Sequence, residues 1–406
     1  MRGPLALSCV IGVLGVAATA QSPSWPQWRG PSRDGVASGF QAPADWPASL
    51  TRKWEAVVGL GHASPVIAGD RIVIHSREGV NESIAAFDLE SGKRLWRDSY
   101  AAPYDMNPAA RAHGPGPKST PAVAAGRVFA MGISGILSAV DLKSGKVLWR
   151  TPPASPQPLY GTATSPMVEG DRVIVFTGGH DRGALTAFDA ATGGVRWRWT
   201  GDGPGYSSPV IGTFEGTRQI ITQSQRRVVG ISAADGTLLW ELPFQTSFDQ
   251  NSVTPLVSRG LVISSGLEQP TVALRVSATG GRWQAAEVWR NPQVSMYMSS
   301  PAATEQAIFG LSHRNRGQFF ALDPATGKTL WTSRGREGDN ASIVRAGGLL
   351  LLSTTNAELI VARASSTAFE EVRRYTIADS ATWAHPAYAG RLIAVKDVEK
   401  LIVWSY

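Results

Sequence analysis

A turn signal followed by an apolar residue and tryptophan recurs along this chain, and that recurrence restricts the fold more than any other feature. It reads Glu90-Ser91-Gly92-Lys93-Arg94-Leu95-Trp96 and Lys143-Ser144-Gly145-Lys146-Val147-Leu148-Trp149. It returns at Trp197, Trp240 and Trp331, with a degenerate copy ending at Trp289. Asp88, Asp141, Asp189 and Asp323 stand just before the turn in several copies. A second marker, a small hydroxylated residue followed by proline, recurs out of phase: Ser64-Pro65, Thr120-Pro121, Ser165-Pro166, Ser208-Pro209, Thr254-Pro255 and Ser300-Pro301. Ser342-Ile343 and His385-Pro386 continue the spacing, giving eight copies at a period of roughly 42 to 56 residues. That is within or just above the range of propeller blades.

Each repeat reads as four short strands. Pro65 to Ile67 starts one, Arg71 to Ile74 is β-branched after a glycine turn, Ile84 to Asp88 follows, and the fourth carries the tryptophan. Period-two alternation with glycine punctuation argues strand throughout. A lone four-stranded sheet cannot cover both faces; packing neighbours around an axis can, and leaves only short protected edges. The predicted fold is therefore all-β, an eight-bladed β-propeller of four-stranded antiparallel blades. The last repeat ends at Tyr406 without a fourth strand, while Leu50 to Val58, with Trp54, precedes the first. That N-terminal strand is expected to complete the last blade. Trp54, Trp96, Trp149, Trp197, Trp240, Trp289 and Trp331 are read as structural docks between blades, large rings whose N–H can reach a backbone partner. The aspartates are read as turn residues, accepting from local N–H groups ahead of a glycine.

The chain has 406 residues, a formal net charge of +7 and one cysteine. Residues 1–20 read as a signal peptide: Arg2, an apolar run from Leu5 to Val16 too short to span a bilayer, and Ala18-Thr19-Ala20 as the cleavage site. Residues 21–49 read as an N-terminal extended segment and 50–406 as the propeller. Cleavage would remove Cys9, and with it any disulfide or thiolate metal site. The expected location is periplasmic or secreted, as a monomer without a transmembrane segment. No cluster of basic and aromatic residues suited to nucleic acid appears, and no two histidines have metal-site spacing.

In a propeller, ligands meet loops at one end of the channel. The residues three before each marker proline, or its equivalent, are the candidates: His62, Lys118, Ala163, Tyr206, Ser252, Met298, Asn340 and Trp383. A purely structural ring would repeat, whereas these positions vary. The long connection from Arg97 to Lys118 is expected to fold over the same mouth, since loops of this length inside compact domains are often functional. His180-Asp181-Arg182 and His313-Arg314-Asn315-Arg316 read as solvated hairpin tips.

These repeats resemble the pyrroloquinoline quinone (PQQ)-like repeat superfamily of eight-bladed propellers. Trp25 to Pro31, Gly114 to Pro121, Gly205 to Pro209 and Arg218 to Ile221 resemble a secreted bacterial branch of it. The superfamily holds quinoprotein dehydrogenases and an outer-membrane assembly lipoprotein. The first resemblance implies PQQ and Ca²⁺ as cofactors, with Trp383 as a platform, Asp339 as the candidate catalytic base, Asn340 as an amide ligand, and Lys118 or Arg314 facing quinone oxygens. Ca²⁺ favours six to eight oxygens with several carboxylates, and no carboxylate cluster stands near these residues in sequence. The favoured reading is a non-catalytic binding or scaffold propeller of the cell envelope, presenting loops at a channel mouth to an envelope protein or small ligand. The alternative is a PQQ-dependent alcohol or sugar dehydrogenase.

Overall fold

The computed structural model describes residues 24–406; the expected signal peptide, its cleavage site and Cys9 lie outside the described residues. Eight antiparallel sheets, each built on a four-stranded blade, form a ring. The first blade comprises Val66–Ala68, Arg71–Glu78, Asn81–Asp88 and Arg94–Ala101, and the seventh Ala341–Ala346, Leu349–Thr354, Glu358–Arg363 and Glu371–Thr376. In the eighth, Ala387–Ala389, Leu392–Lys396 and Lys400–Ser405 are completed by Thr51–Val57, with Trp54 opposite Val403. The closing strand is the one expected from the sequence.

The tryptophans explain why neighbouring blades stay in register. Trp96 lies against Gly145 in the next blade's turn, and its Nε1 donates to Leu142 O at 2.9 Å. Trp149 lies against Gly193 and donates to Ala190 O, and Trp289 lies against Gly327 and donates to Pro324 O. Trp54 repeats the contact across the closing seam, on Gly92 with Leu89 O at 2.9 Å. Trp331 donates to Ser365 O. The turn that receives each ring is shaped by its aspartate: Asp141 Oδ1 accepts from Ser144 N at 2.8 Å, as Asp88, Asp189 and Asp323 do from their own turns. Two docks differ from the expected form. Trp197 covers Gly236, but its Nε1 has no protein partner. Trp240 folds onto Gly230 of its own blade and donates to Gln219 Oε1 at 2.7 Å, because the fifth blade carries a longer hairpin, Gln269–Thr279 with Arg282–Asn291, in place of the turn. Trp240 still packs in a cluster with Val262 and Leu274 of that blade.

The Ser/Thr-Pro markers tie the inner ends together. Ser64 N donates to Thr120 Oγ1, Thr120 N to Ser165 Oγ, and Ser165 N to Ser208 Oγ. Thr254 N donates to Ser300 Oγ at 3.0 Å, and His385 N to Ser64 Oγ at 2.9 Å across the seam. The hydroxyl is selected because it accepts from the preceding blade's amide, and proline because its own nitrogen needs no partner.

The segment before the closing strand was expected only to be extended. It instead threads across the channel and reaches every blade. Ser24–Trp25 pairs with Ile67 and Ala68, making the first sheet five-stranded, and Pro26 O accepts from Val123 N. Arg33, 3% exposed, donates to the carbonyls of Ser165, Pro166 and Pro209 in the third and fourth blades. Arg29, 2% exposed, donates to those of Ser300 and Pro301 in the sixth. Trp28 Nε1 donates to Thr254 Oγ1, Ala37 N to Arg345 O and Gln41 N to Gly390 O. Burial pulls Arg29 down to about 10 and Arg33 to about 9, the latter also through Arg29, so both remain charged at neutral pH. Backbone carbonyl dipoles bond both cations directly, and the Asp34 carboxylate adds a favourable charge for Arg29.

Two measurements test this account. Gly126 and Gly145 both have positive φ, 73° and 72°, but a Cβ at Gly126 meets open space whereas at Gly145 it would lie 2.6 Å from the Trp96 ring. Gly145→Ala should therefore cost about 1–3 kcal/mol more than Gly126→Ala in denaturant unfolding; equal losses would remove the dock's role. Arg33→Met leaves three buried carbonyls without their charged donor and should cost about 3–5 kcal/mol. A melting temperature like that of the parent protein would show that the channel segment does not brace the ring.

Candidate functional site

The marker that closes the ring also places the side chains ahead of it. Seven of the inner strands begin just after the marker proline, and the residue three positions before it, or its equivalent in the seventh blade, stands at the channel mouth. All eight such residues, His62, Lys118, Ala163, Tyr206, Ser252, Met298, Asn340 and Trp383, line one cavity of about 200 Å³. The structure brings together residues from every blade that no local spacing connects.

The floor comes from a residue the sequence reading passed over. Trp28, on the channel segment, lines the cavity and lies against His385, ring centroids 4.2 Å apart at 30°. His385 is fully buried and pushed down to about 3 by burial, with Arg29 acting in the same direction. Trp28 lies in the Trp25 to Pro31 stretch, outside the repeat, so no marker offset points to it.

One wall is aromatic and histidine-rich. His113 meets Trp383 edge-on at 4.7 Å, and His62 lies 6.3 Å from Trp383. His113 belongs to the short 3₁₀ helix Pro108–His113, started by Asn107 Oδ1 accepting from Ala109 N and preset by Pro108. Ala109, Ala110 and His113 border the cavity, so the long connection does fold over this mouth. Burial lowers His62 to about 4, and His113, Lys396 and Lys118 push the same way. His113 is lowered by burial and by Lys118.

Lys118, close enough to His62 and His113 to lower both, lines the cavity together with Tyr160, Tyr206 and Tyr297. Lys118 Nζ donates to Tyr160 O at 2.8 Å, and burial lowers it to about 8. Tyr206 OH accepts from Tyr160 N at 3.2 Å and lies 3.3 Å from His180 Nε2; burial raises its pKa well above the usual phenol range. His180 is thus a wall support and not a solvated tip, while Asp181 and Arg182 are exposed. Asn340 Oδ1 accepts from Met298 N at 3.0 Å, so that amide oxygen braces the neighbouring blade. Ser252 Oγ donates to Gln250 O.

Two residues considered for quinone chemistry lie elsewhere. Asp339 is exposed and outside the cavity lining, because the backbone turns Asn340 inward and its neighbour out. Arg314 is exposed and donates to Gln293 O. The lining carries imidazole, hydroxyl, amide and ammonium groups and no carboxylate. That set does not fit the carboxylate-weighted oxygen sphere of Ca²⁺. Among the described residues no group of three or more His, Cys, Asp or Glu could hold a metal ion, and no helix is long and apolar enough to cross a membrane.

Comparison with known proteins agrees with this architecture. The outer membrane protein assembly factor BamB of Yersinia pestis is 25% identical over 240 residues, 55% of this chain and 58% of the relative. The first two curated relatives are matched over only 34% and 58% of their own length. The crystal structure of BamB from Moraxella catarrhalis superposes with a TM-score of 0.64 at 15% identity, covering 88% of this chain and 98% of that one. Quinohemoprotein alcohol dehydrogenase from Comamonas testosteroni superposes at 0.70 with 14% identity, covering 96% of this chain and 81% of that one. At such identity these structures establish the fold alone. The profile of the PQQ_2 family, described as outer membrane protein assembly factor BamB, matches residues 80–333, more than half of the chain, and the protein belongs to that family.

Proposed function

We propose that this chain is a non-catalytic binding propeller of the cell envelope, exported and monomeric, that receives a small ligand in its central cavity and presents the surrounding loops to an envelope protein. The observation that carries this reading is the divergence of eight structurally equivalent residues that face one cavity. The ring needs their backbone, which is why the marker repeats; a shared structural role for their side chains would keep them alike around the ring, as the marker itself is. The similarity to outer membrane assembly factors supports an envelope scaffold.

The quinoprotein reading draws support from the shared fold with an alcohol dehydrogenase. The donor set opposes it. Trp383 offers a ring face, but no carboxylate lines the cavity to hold a metal against a quinone oxygen, and Asp339 faces solvent.

Two experiments separate the readings. In a thermal-shift screen of the full mature chain against small polar and aromatic compounds, ligands should raise the melting temperature by at least about 2 °C through preferential binding to the folded state. Ala163→Trp, which fills the cavity, should abolish those shifts; shifts that persist, or a screen with none, would remove the cavity reading. Titration with PQQ and Ca²⁺ should show no stoichiometric binding and no dye-linked turnover of alcohols or sugars. Tight binding with turnover lost in Trp383→Ala would establish the dehydrogenase instead.

A further inference from the structure

The cavity lining carries an ammonium, Lys118, and no carboxylate, and that selects a ligand class. We propose that the cavity binds a small aromatic carboxylate, a single ring whose carboxylate pairs with Lys118 and whose face packs on the aromatic walls. This rests on the binding reading above and specifies its ligand.

Lys118 uses one ammonium hydrogen on Tyr160 O, leaving two for a ligand. A second ammonium, Lys396, is buried behind His62 and bonded to the backbone carbonyls of Gly61, Asp397 and Val398. Arg29 lies behind His385 and is likewise held by carbonyls. No Asp or Glu lines the cavity. Asp397 and Glu399 partly offset Lys396 and Asp34 partly offsets Arg29, but none of these acids lines the cavity. Asp397 is occupied by the amides of Glu399 and Lys400, and Asp249 by Gln225 and Gln245. Burial lowers His62, and His113, Lys396 and Lys118 push it in the same direction.

Hydrogen-bonding groups without protein partners point the same way. Ser342 Oγ and Ser353 Oγ, on cavity-lining residues 3% and 2% exposed, and His62 Nδ1 are buried and unpaired. Buried polar groups are normally satisfied, and a carboxylate accepts at about four lone-pair sites. Aromatic walls alone would suit a quaternary ammonium equally well, through the ring faces. Here such a cation would face Lys118 with no carboxylate lining the cavity, so charge decides against it. Size limits the ligand further: about 200 Å³ is below the roughly 300–1,000 Å³ of drug-sized pockets, which favours one ring over a fused system.

The test is calorimetric titration of the full mature chain with benzoate, benzyl alcohol, benzyltrimethylammonium and acetate at fixed ionic strength. Benzoate should bind at least about tenfold more tightly than benzyl alcohol or acetate, with no binding of the ammonium. Lys118→Met, its fold checked by circular dichroism, should erase the preference for benzoate over benzyl alcohol, and Lys118→Arg should retain it. N-acetylphenylalanine distinguishes the source: weaker binding than benzoate assigns a free acid, tighter binding a chain terminus. Equal binding of benzyl alcohol, binding of the ammonium, or an undiminished preference in Lys118→Met would overturn the proposal. Neutral binding that Ala163→Trp blocks would overturn the anion alone and leave the cavity reading standing. Failure of these probes together with an empty thermal-shift screen would remove both.

Discussion

The fold depends on marker hydroxyls that accept from the amide of the blade before them, at Ser64, Thr120, Ser165, Ser208 and Ser300. Around a ring, a small error at each junction accumulates until the last blade no longer meets the first. A hydrogen bond near 3.0 Å between successive inner strands fixes that angle where the radius is smallest. The bond from His385 N to Ser64 Oγ closes the circuit. Tryptophan docks set the same junctions at larger radius, with Trp54, Trp96, Trp149, Trp197 and Trp289 each lying where a glycine of the next blade leaves room for the ring. Five junctions thus carry two contacts at different distances from the axis, and these fix the orientation of one blade against the next.

A closed ring has a central channel, and here the channel is occupied on one side. Arg29 and Arg33 enter a place where the marker carbonyls of several blades converge, and those dipoles supply the negative potential a buried guanidinium requires. The field of Arg29 reaches His385, where burial already favours the neutral imidazole and the cation pushes the same way. The segment that braces the ring therefore also sets the electrostatics of the site, and its Trp28 supplies the floor.

The site itself was half legible. The eight rim residues could be named because they stand at a fixed offset from a marker that repeats, and a periodic fold turns equal offsets into equal positions around an axis. Trp28, His113, Tyr160 and Tyr297 could not be reached that way. Three of them lie on connections whose path is set by what they pack against, and Trp28 belongs to a segment outside the repeat. Asp339 shows the converse: adjacent to Asn340 in sequence, it faces solvent because successive residues of an extended chain point to opposite sides.

By itself the sequence determined the number of blades, the four-strand unit, the seam made by the strand of Trp54 and the ring of residues around the mouth. Each of these follows from local chemistry repeated at a nearly constant interval: glycine in a tight turn, an aspartate accepting its amides, a hydroxyl beside a proline. Only the tertiary structure decided that the N-terminal segment crosses the channel, that two arginines are stabilised there by carbonyls from three blades, and that Trp240 folds onto its own sheet. These outcomes turn on groups hundreds of residues apart, such as Arg29 and Ser300 or Trp28 and His385. No local propensity encodes such meetings, because they exist only once the ring has closed and its inward carbonyls share one axis.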